Sequence, residues 1–253
     1  MRATKLFAAL MLVSATRVEG QLLEARAPRF LDQWTWSVGA WGGIPLGDFR
    51  KHEDGGGGFE LMVGVQPFRR QPLTIRTHIA TLVYGNITAV GSQDVCDFFG
   101  CTTETVEYTA RNHVMTSMHI GPELFATDGF LRPFGYAMFG ATWFNSWANL
   151  QPTSPGGPSE GSASLFSSHN FSTAYGAGLR FVKTRFGREF GFELAARVNR
   201  NAKARYLTEE GVQYDSTSNT FYVTPTQTAA HVLGIHVSFW MGPYINWNER
   251  RVR

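Results

Sequence analysis

The stretch Phe192-Glu193-Leu194-Ala195-Ala196-Arg197-Val198-Asn199 decides the fold of this 253-residue chain. Apolar side chains occupy every second position, and Glu193, Ala195, Arg197 and Asn199 occupy the positions between them. Successive side chains of a β-strand point to opposite faces, so this alternation is typical of a strand. The stretch therefore predicts a strand with one apolar face and one face that carries charge.

Seven further segments between Trp34 and Met241 show the same period of two. In Phe59–Gln66, for example, Phe59, Leu61, Val63 and Val65 form the apolar row. The opposite rows of the predicted strands contain small residues, both signs of charge and three histidines: Glu60, Arg76, His78, His119, Glu123, Arg180, Glu193, Arg197 and His236. The pattern predicts eight strands that gather these nine residues on one face of a sheet.

Short and long connections between the predicted strands alternate along the chain. The short ones are Phe68–Pro72, Ala126–Gly129 and Arg185–Arg188, and the long ones, rich in Gly, Pro, Ser and Asn, are Ile44–Gly57, Ile87–Glu104, Ser146–Asn170 and Ala202–Thr226. Transmembrane barrels of the bacterial outer membrane have short periplasmic turns and longer external loops. The predicted fold is all-β, an eight-stranded antiparallel up-and-down transmembrane β-barrel over residues 33–241.

A barrel of eight strands has an interior only wide enough to be filled by side chains. Because lone buried charges are costly, the nine polar residues are predicted to pair there as an internal network. Aromatic residues near the strand ends are predicted to form two girdles at the membrane interfaces: Trp34, Trp36, Phe130, Phe134, Phe186, Phe190, Phe239 and Trp240 at the short-turn end, and Trp41, Tyr84, Trp143, Phe144, Phe221 and Tyr222 at the long-loop end.

The N-terminus explains how such a chain would be exported. Arg2 and Lys5 precede the apolar segment Leu6–Ala15, and a small residue, Gly20, offers a cleavage position. This pattern predicts a signal peptide at residues 1–20, followed by a periplasmic lead at 21–32; residues 242–253 form a predicted tail. Removing residues 1–20 reduces the 23 Lys+Arg and 20 Asp+Glu of the whole chain to 20 and 19, which argues against a nucleic-acid partner.

Cys96 and Cys101 are the two cysteines of the chain, and both fall in one long predicted loop. In an exported protein this spacing predicts a local disulfide at the loop tip.

Two segments carry a resemblance to a known group of proteins. Leu131-Arg132-Pro133-Phe134-Gly135-Tyr136 and Tyr175-Gly176-Ala177-Gly178-Leu179 resemble the outer-membrane β-barrel superfamily of OmpA/OmpX-type and opacity-type proteins. The resemblance implies a location in the outer membrane and a structural, adhesion or other interaction role through four external loops. It also implies that Ile235, Val237 and Phe239 form a signal for the barrel-assembly machinery, although Met241–Arg253 follow them here.

The remaining motifs contain residue types that serve as chemical sites in other proteins. His236-Val237-Ser238 is similar to the His-x-Ser pair of outer-membrane lipid A deacylases, but Phe239 stands where those enzymes have Asn. His78 and His119 lack further ligands at metal spacing. We therefore expect no catalytic residues, no metal and no cofactor. The expected partners are outer-membrane lipid and lipopolysaccharide, the assembly machinery and an external protein or surface ligand.

Three alternatives stay open at this point. They are a lipid A-modifying esterase, a narrow channel, and a secreted lipocalin-like barrel with a Gly39-Ala40-Trp41 match.

Overall fold

Eight long strands close into an antiparallel barrel in the computed structural model, which describes residues 33–68, 71–97, 100–126, 129–152, 161–185, 187–215 and 220–244. The barrel strands are β1 (Trp34–Leu46), β2 (Gly56–Val65), β3 (Leu73–Asp97), β4 (Gly100–Phe125), β5 (Leu131–Pro152), β6 (Gly161–Arg185), β7 (Arg188–Asn201) and β12 (His231–Tyr244). The predicted fold class, a closed eight-stranded β-barrel, is confirmed. Nowhere in the described ranges is there a helix with the length and apolarity needed to cross a membrane.

The first and last strands close the barrel. β1 pairs with β12 from Trp36 opposite Met241 to Leu46 opposite His231, and the order around the wall is β1-β12-β7-β6-β5-β4-β3-β2. Each strand therefore has two neighbours, so the wall leaves no backbone edge unpaired at barrel height.

The alternation read from the sequence gives each side chain its face. Phe192 and Leu194 point outward and are 60% and 47% exposed. Glu193 and Arg197 lie on the opposite row of the same strand and are 2% and 1% exposed. The inner face thus carries the polar row and the outer face the apolar row, as the sequence predicts.

Two of the predicted long loops are mostly strand, which corrects the sequence reading. β3 and β4 remain paired as far as Asp97 opposite Gly100, although β2 stops at Gly56 opposite Tyr84. β5 and β6 stay paired up to Leu150 opposite Gly161. Because β4 also pairs with β5 there, a four-stranded sheet continues above the barrel. Backbone pairing between adjacent strands overrides the Gly, Ser and Asn content that predicted irregular loops.

The last long connection also contains regular structure. β8 (Lys203–Tyr206) pairs with β11 (Thr226–Ala229), and β9 (Val212–Asp215) pairs with β10 (Thr220–Val223). A 3-10 turn at Glu209–Gly211 lies between β8 and β9, and another at Phe49–Lys51 follows β1.

The predicted aromatic girdles are wrong for five of their members. Trp41, Tyr84, Phe134, Phe144 and Trp240 are between 1% and 5% exposed and lie inside the barrel. Their strand positions have inward parity, which decides the face whatever the height along the strand. The remaining described members on barrel strands lie on the outward rows, while Phe130 and Tyr222 are exposed outside those strands. Phe186 and the side chain of Phe221 lie outside the described residues.

Several expectations concern residues that are not described. The signal peptide at 1–20, the lead at 21–32 and the chain after Tyr244 lie outside the described residues. β12 itself runs three residues beyond Met241, to Tyr244.

Candidate functional site

Four buried ions form a cluster in the barrel interior, which we call the central cluster: Arg76, Glu123, Arg180 and Glu193. Arg76 Nη1 lies 2.5 Å from Glu123 Oε2, and Arg180 Nη2 lies 2.9 Å from the other carboxylate oxygen. Arg180 also donates through Nε to Glu193 at 2.7 Å. Strands β3, β4, β6 and β7 each supply one ion, so the cluster connects strands across the interior. Rings of Tyr136 and Trp240 lie 4.7 and 4.4 Å from the guanidinium carbons of Arg76 and Arg180.

A second group, the Glu60 cluster, lies nearer the long-loop end. The Glu60 carboxylate accepts hydrogen bonds from His78 Nε2 at 2.9 Å, from Ser238 Oγ at 2.7 Å and from His236 Nδ1. Arg197 Nη1 lies 3.6 Å from this carboxylate and donates to His78 Nδ1 at 2.7 Å. The same Nη1 also lies 2.8 Å from His78 Nε2, so the guanidinium is close to both ring nitrogens of this histidine.

A third ion pair, Arg132 with Glu189, lies at the short-turn end and was missed in the sequence. The guanidinium donates two parallel hydrogen bonds, of 2.7 and 2.8 Å, to the two carboxylate oxygens. Glu189 has the same parity as Glu193 and Arg197 on β7, so extending the inward row by two positions towards the short turn, through Gly191, predicts it.

Each of the three groups is electrically balanced. The central cluster has two arginines and two glutamates, and the other two groups each pair one arginine with one glutamate. Buried charges in a low dielectric are tolerated when they are paired and hydrogen-bonded. The three groups together therefore hold eight ions at no net charge while their histidines are neutral.

The Glu60 cluster also contains the donor set of a possible metal site. One ligand atom each from Glu60, His78 and His236 lies within 4.8 Å of the others, and two histidines with a carboxylate suit zinc. The Arg197 guanidinium, however, already supplies the positive charge that balances Glu60, and it contacts His78. A divalent cation would meet this guanidinium at close range, so the residues fit a hydrogen-bonded network better than a metal centre.

The structure does not assemble the catalytic pair considered for His236 and Ser238. The Ser238 hydroxyl donates to Glu60 rather than to His236, and both residues are 2% exposed inside the barrel. A serine nucleophile needs its base within hydrogen-bond reach. The side chains of His236 and Ser238 therefore both form hydrogen bonds to the buried Glu60 carboxylate.

His119 lies directly opposite His78 in the register but has different partners. Its Nε2 is 2.9 Å from Ser172 Oγ, which also accepts from Thr142 at 2.9 Å. The two histidines are neighbours on the inner wall without sharing a ligand.

An aromatic layer closes the interior at the long-loop end, and it was also missed in the sequence. Phe49 and Tyr206, both fully buried, meet with ring centroids 4.9 Å apart, and Phe49 lies 5.4 Å from the Tyr84 ring. Phe144 lies 6.0 Å from Tyr206. Phe49 and Tyr206 come from connections rather than barrel strands, so strand periodicity could not place them. In the described part of the chain this layer covers the ionic clusters from above.

The outer wall is the counterpart of this ionic interior. A band of outward-facing side chains free of Asp, Glu, Lys and Arg surrounds the barrel, within the described segments 34–46, 57–65, 73–83, 114–124, 131–143, 171–181, 190–198 and 233–243. Charged outward residues appear just beyond the band, with Lys183, Arg185 and Arg188 at the short-turn end and Arg200 at the long-loop end. The band is about the length that a transmembrane strand needs, ~9–11 residues.

Two further sets of predicted residues are placed by the structure. Cys96 and Cys101 lie opposite each other in the β3–β4 register, and the disulfide stays a prediction. Ile235 and Val237 face outward and are 45% and 57% exposed, with Phe239 next on the same row. Their role as an assembly signal stays a prediction.

No protein-family model and no curated protein matches the chain. Among solved structures it is similar to Neisserial surface protein A, with 10% identity and a TM-score of 0.40 over 84% of this chain and 97% of that one. It is also similar to Ail, the attachment invasion locus protein of Yersinia pestis, with 14% identity and a TM-score of 0.40 over 83% and 98%. For the N-terminal β-barrel domain of Pseudomonas aeruginosa OprF the values are 12% identity and 0.35 over 81% and 96%. These similarities do not assign a family, and the fold stands on the chain's own strand pairing.

Proposed function

We propose that the chain is an integral outer-membrane protein of a Gram-negative bacterium that acts without catalysis, through the structure it presents outside the membrane. The observation that supports this most is the uncharged outer band around an interior of eight paired ions. A soluble barrel gains nothing from exposing such a band, because exposed apolar patches of that extent favour aggregation. A bilayer core, in contrast, requires an apolar surface and a closed wall with no free backbone edge.

The filled interior argues for a scaffold rather than a channel or a carrier of apolar ligands. Ion pairs occupy three levels of the barrel, and the Phe49 and Tyr206 rings close its long-loop end. A lipocalin-like carrier would need an apolar pocket in the volume that these ions occupy.

The sheet that continues above the barrel is the proposed interaction surface. From Gly85 to Asp97, β3 extends for about 40 Å at ~3.3 Å per residue. Beyond Tyr84 no described strand pairs with β3 on its β2 side, so backbone N–H and C=O groups line an open edge. Such an edge can add an extended segment of a partner by main-chain hydrogen bonding.

Cell fractionation and gel mobility test the membrane assignment. The protein should be recovered in the outer-membrane fraction and should change mobility between heated and unheated samples, because a closed barrel resists detergent until heated. Recovery as soluble periplasmic protein would refute the assignment.

A shortened hairpin tests the interaction role. Replacing residues 89–108 by an Asn-Gly turn joins Thr88 to Thr109, which already face each other in the register. The heat-dependent mobility shift should persist, while attachment of expressing cells to protein-coated surfaces should fall to the level of cells without the protein. Unchanged attachment of cells that express the shortened variant would refute the interaction role of this sheet. A matched control replaces surface residues of the β9–β10 hairpin.

A further inference from the structure

The outer band contains a groove at the junction of β1, β2, β3 and β12. It has a volume of about 550 Å³. The groove exists because small residues line its centre, and larger apolar side chains border it. Phe59, at its edge, is 75% exposed. The outward-facing residues that line it include Ala40, Gly42, Gly57, Phe59, Val83 and Ile235.

Packing within the protein does not require the two central glycines of the groove. A Cβ atom at Gly42 or Gly57 would meet no neighbouring atom closer than 3.9 or 4.0 Å. At Gly39 and Gly58, by contrast, a Cβ atom would collide with the carbonyl oxygens of Val237 and Thr81. Gly42 and Gly57 lie opposite each other in the register, so their missing side chains leave one continuous space.

A basic rim lies above the groove on the same face. His231 is on the outward row of β12, four residues above Ile235, or ~13 Å along the strand. Arg200 is the next outward residue after Val198 on β7, adjacent to His231. Partial burial and then the charge of Arg200 lower the pKa of His231, so at neutral pH Arg200 is the cation and His231 a neutral hydrogen-bonding group.

We propose that the groove binds one acyl chain of a phosphorylated lipid of the outer leaflet, with the lipid phosphate at Arg200 and His231. The proposal rests on the proposed membrane location, which puts the long-loop end at the external surface. A hydrocarbon chain matches an uncharged groove, and a phosphate matches a guanidinium through charge-assisted hydrogen bonds. A second copy of the chain is a less suitable occupant than a lipid. In a two-fold arrangement it would bring a further Arg200 to the same rim, where the two positive charges would repel each other.

Filling the groove tests the proposal. The probe is bisphosphorylated lipid A, titrated into refolded full-length protein in detergent micelles and followed by native mass spectrometry. Gly42→Leu fills the space, and Ala196→Leu adds the same side chain to the outer wall on β7. Arg200→Gln removes the rim charge, and Lys183→Gln removes an exposed outward charge at the opposite end.

The wild type, Ala196→Leu and Lys183→Gln should each retain one lipid with equal affinity. Gly42→Leu and Arg200→Gln should bind on the order of tenfold more weakly. Equal binding by all five proteins would overturn the proposal, and so would a dimer of the wild type that Gly42→Leu abolishes. If the wild type fails to insert into lipid vesicles and shows no heat-dependent mobility shift, the membrane assignment itself fails. Normal insertion with equal lipid binding refutes the groove alone.

Discussion

Arg197 on β7 and Glu60 on β2 meet inside the barrel, with Nη1 3.6 Å from Oε2, although 137 positions separate them in the chain. Both side chains are almost fully buried, at 1% and 3% exposure. The guanidinium carbon also lies 4.7 Å from the Trp41 ring, so a cation–π contact supplements the ion pair. The counterion of Glu60 thus comes from the other half of the chain.

Removing only the cation should destabilise the barrel. Arg197→Met leaves the Glu60 carboxylate buried without its counterion, and we expect a loss of about 3–5 kcal/mol in the free energy of unfolding. The double variant Glu60→Gln, Arg197→Met removes both charges and should recover much of that loss. Urea titration of the refolded protein in micelles, followed by tryptophan fluorescence, measures both. Lys183→Met is the control, and equal destabilisation of the single and double variants would contradict the argument.

A charge introduced on the outer band should lower the free energy of unfolding in a bilayer. Leu61 is 44% exposed and lies between Val38 and Ile79 in the register. Leu61→Arg should cost about 2–4 kcal/mol if it faces the middle of the bilayer. Ser164→Arg, on the sheet above the band, should cost about 0–1 kcal/mol. Unfolding in lipid vesicles compares them, and a harmless Leu61→Arg would show that this wall does not face acyl chains.

The filled interior predicts that the protein does not conduct ions. Planar bilayers containing the wild type should show no steady conductance. Removing the upper layer with Phe49→Ala and Tyr206→Ala should leave conductance absent, because the three ionic groups below still fill the barrel. Stable unit steps from the wild type would contradict this picture and favour the channel.

The cysteine pair should be oxidised without supporting the barrel. Cys96 and Cys101 face each other at the end of the β3–β4 hairpin, 12 positions beyond Tyr84 on β3. Alkylation followed by mass spectrometry should modify neither thiol before reduction and both after it. The double variant Cys96→Ser, Cys101→Ser should unfold within about 0.5 kcal/mol of the wild type. Alkylation before reduction would disprove the disulfide.

The sequence reveals most of the barrel because its period of two fixes the face of each strand residue. This parity alone predicts that Glu60, Arg76 and Arg197 lie together inside the barrel. The same rule predicts an inward face for Trp41 and Tyr84, because height along a strand does not distinguish its two faces.

Other features depend on information that a local pattern does not contain. The cap formed by Phe49 and Tyr206 joins two connections that are far apart in sequence. The pairing of β3 with β4 above Tyr84 depends on a partner strand of similar length rather than on composition. The outer groove becomes visible only when Gly42, Gly57 and Ile235 are brought side by side by the register.

The Glu60 cluster draws its members from β2, β3, β7 and β12, so the start and the end of the chain must both be in place before it is complete. In a partly assembled wall, the Glu60 carboxylate and the Arg197 guanidinium would be removed from water without contacting each other. Closing the β1–β12 seam and completing the Glu60 cluster are therefore a single event. A chain that lacked β12 would leave the wall unclosed and would deprive the buried Glu60 carboxylate of two hydrogen-bond donors, His236 and Ser238.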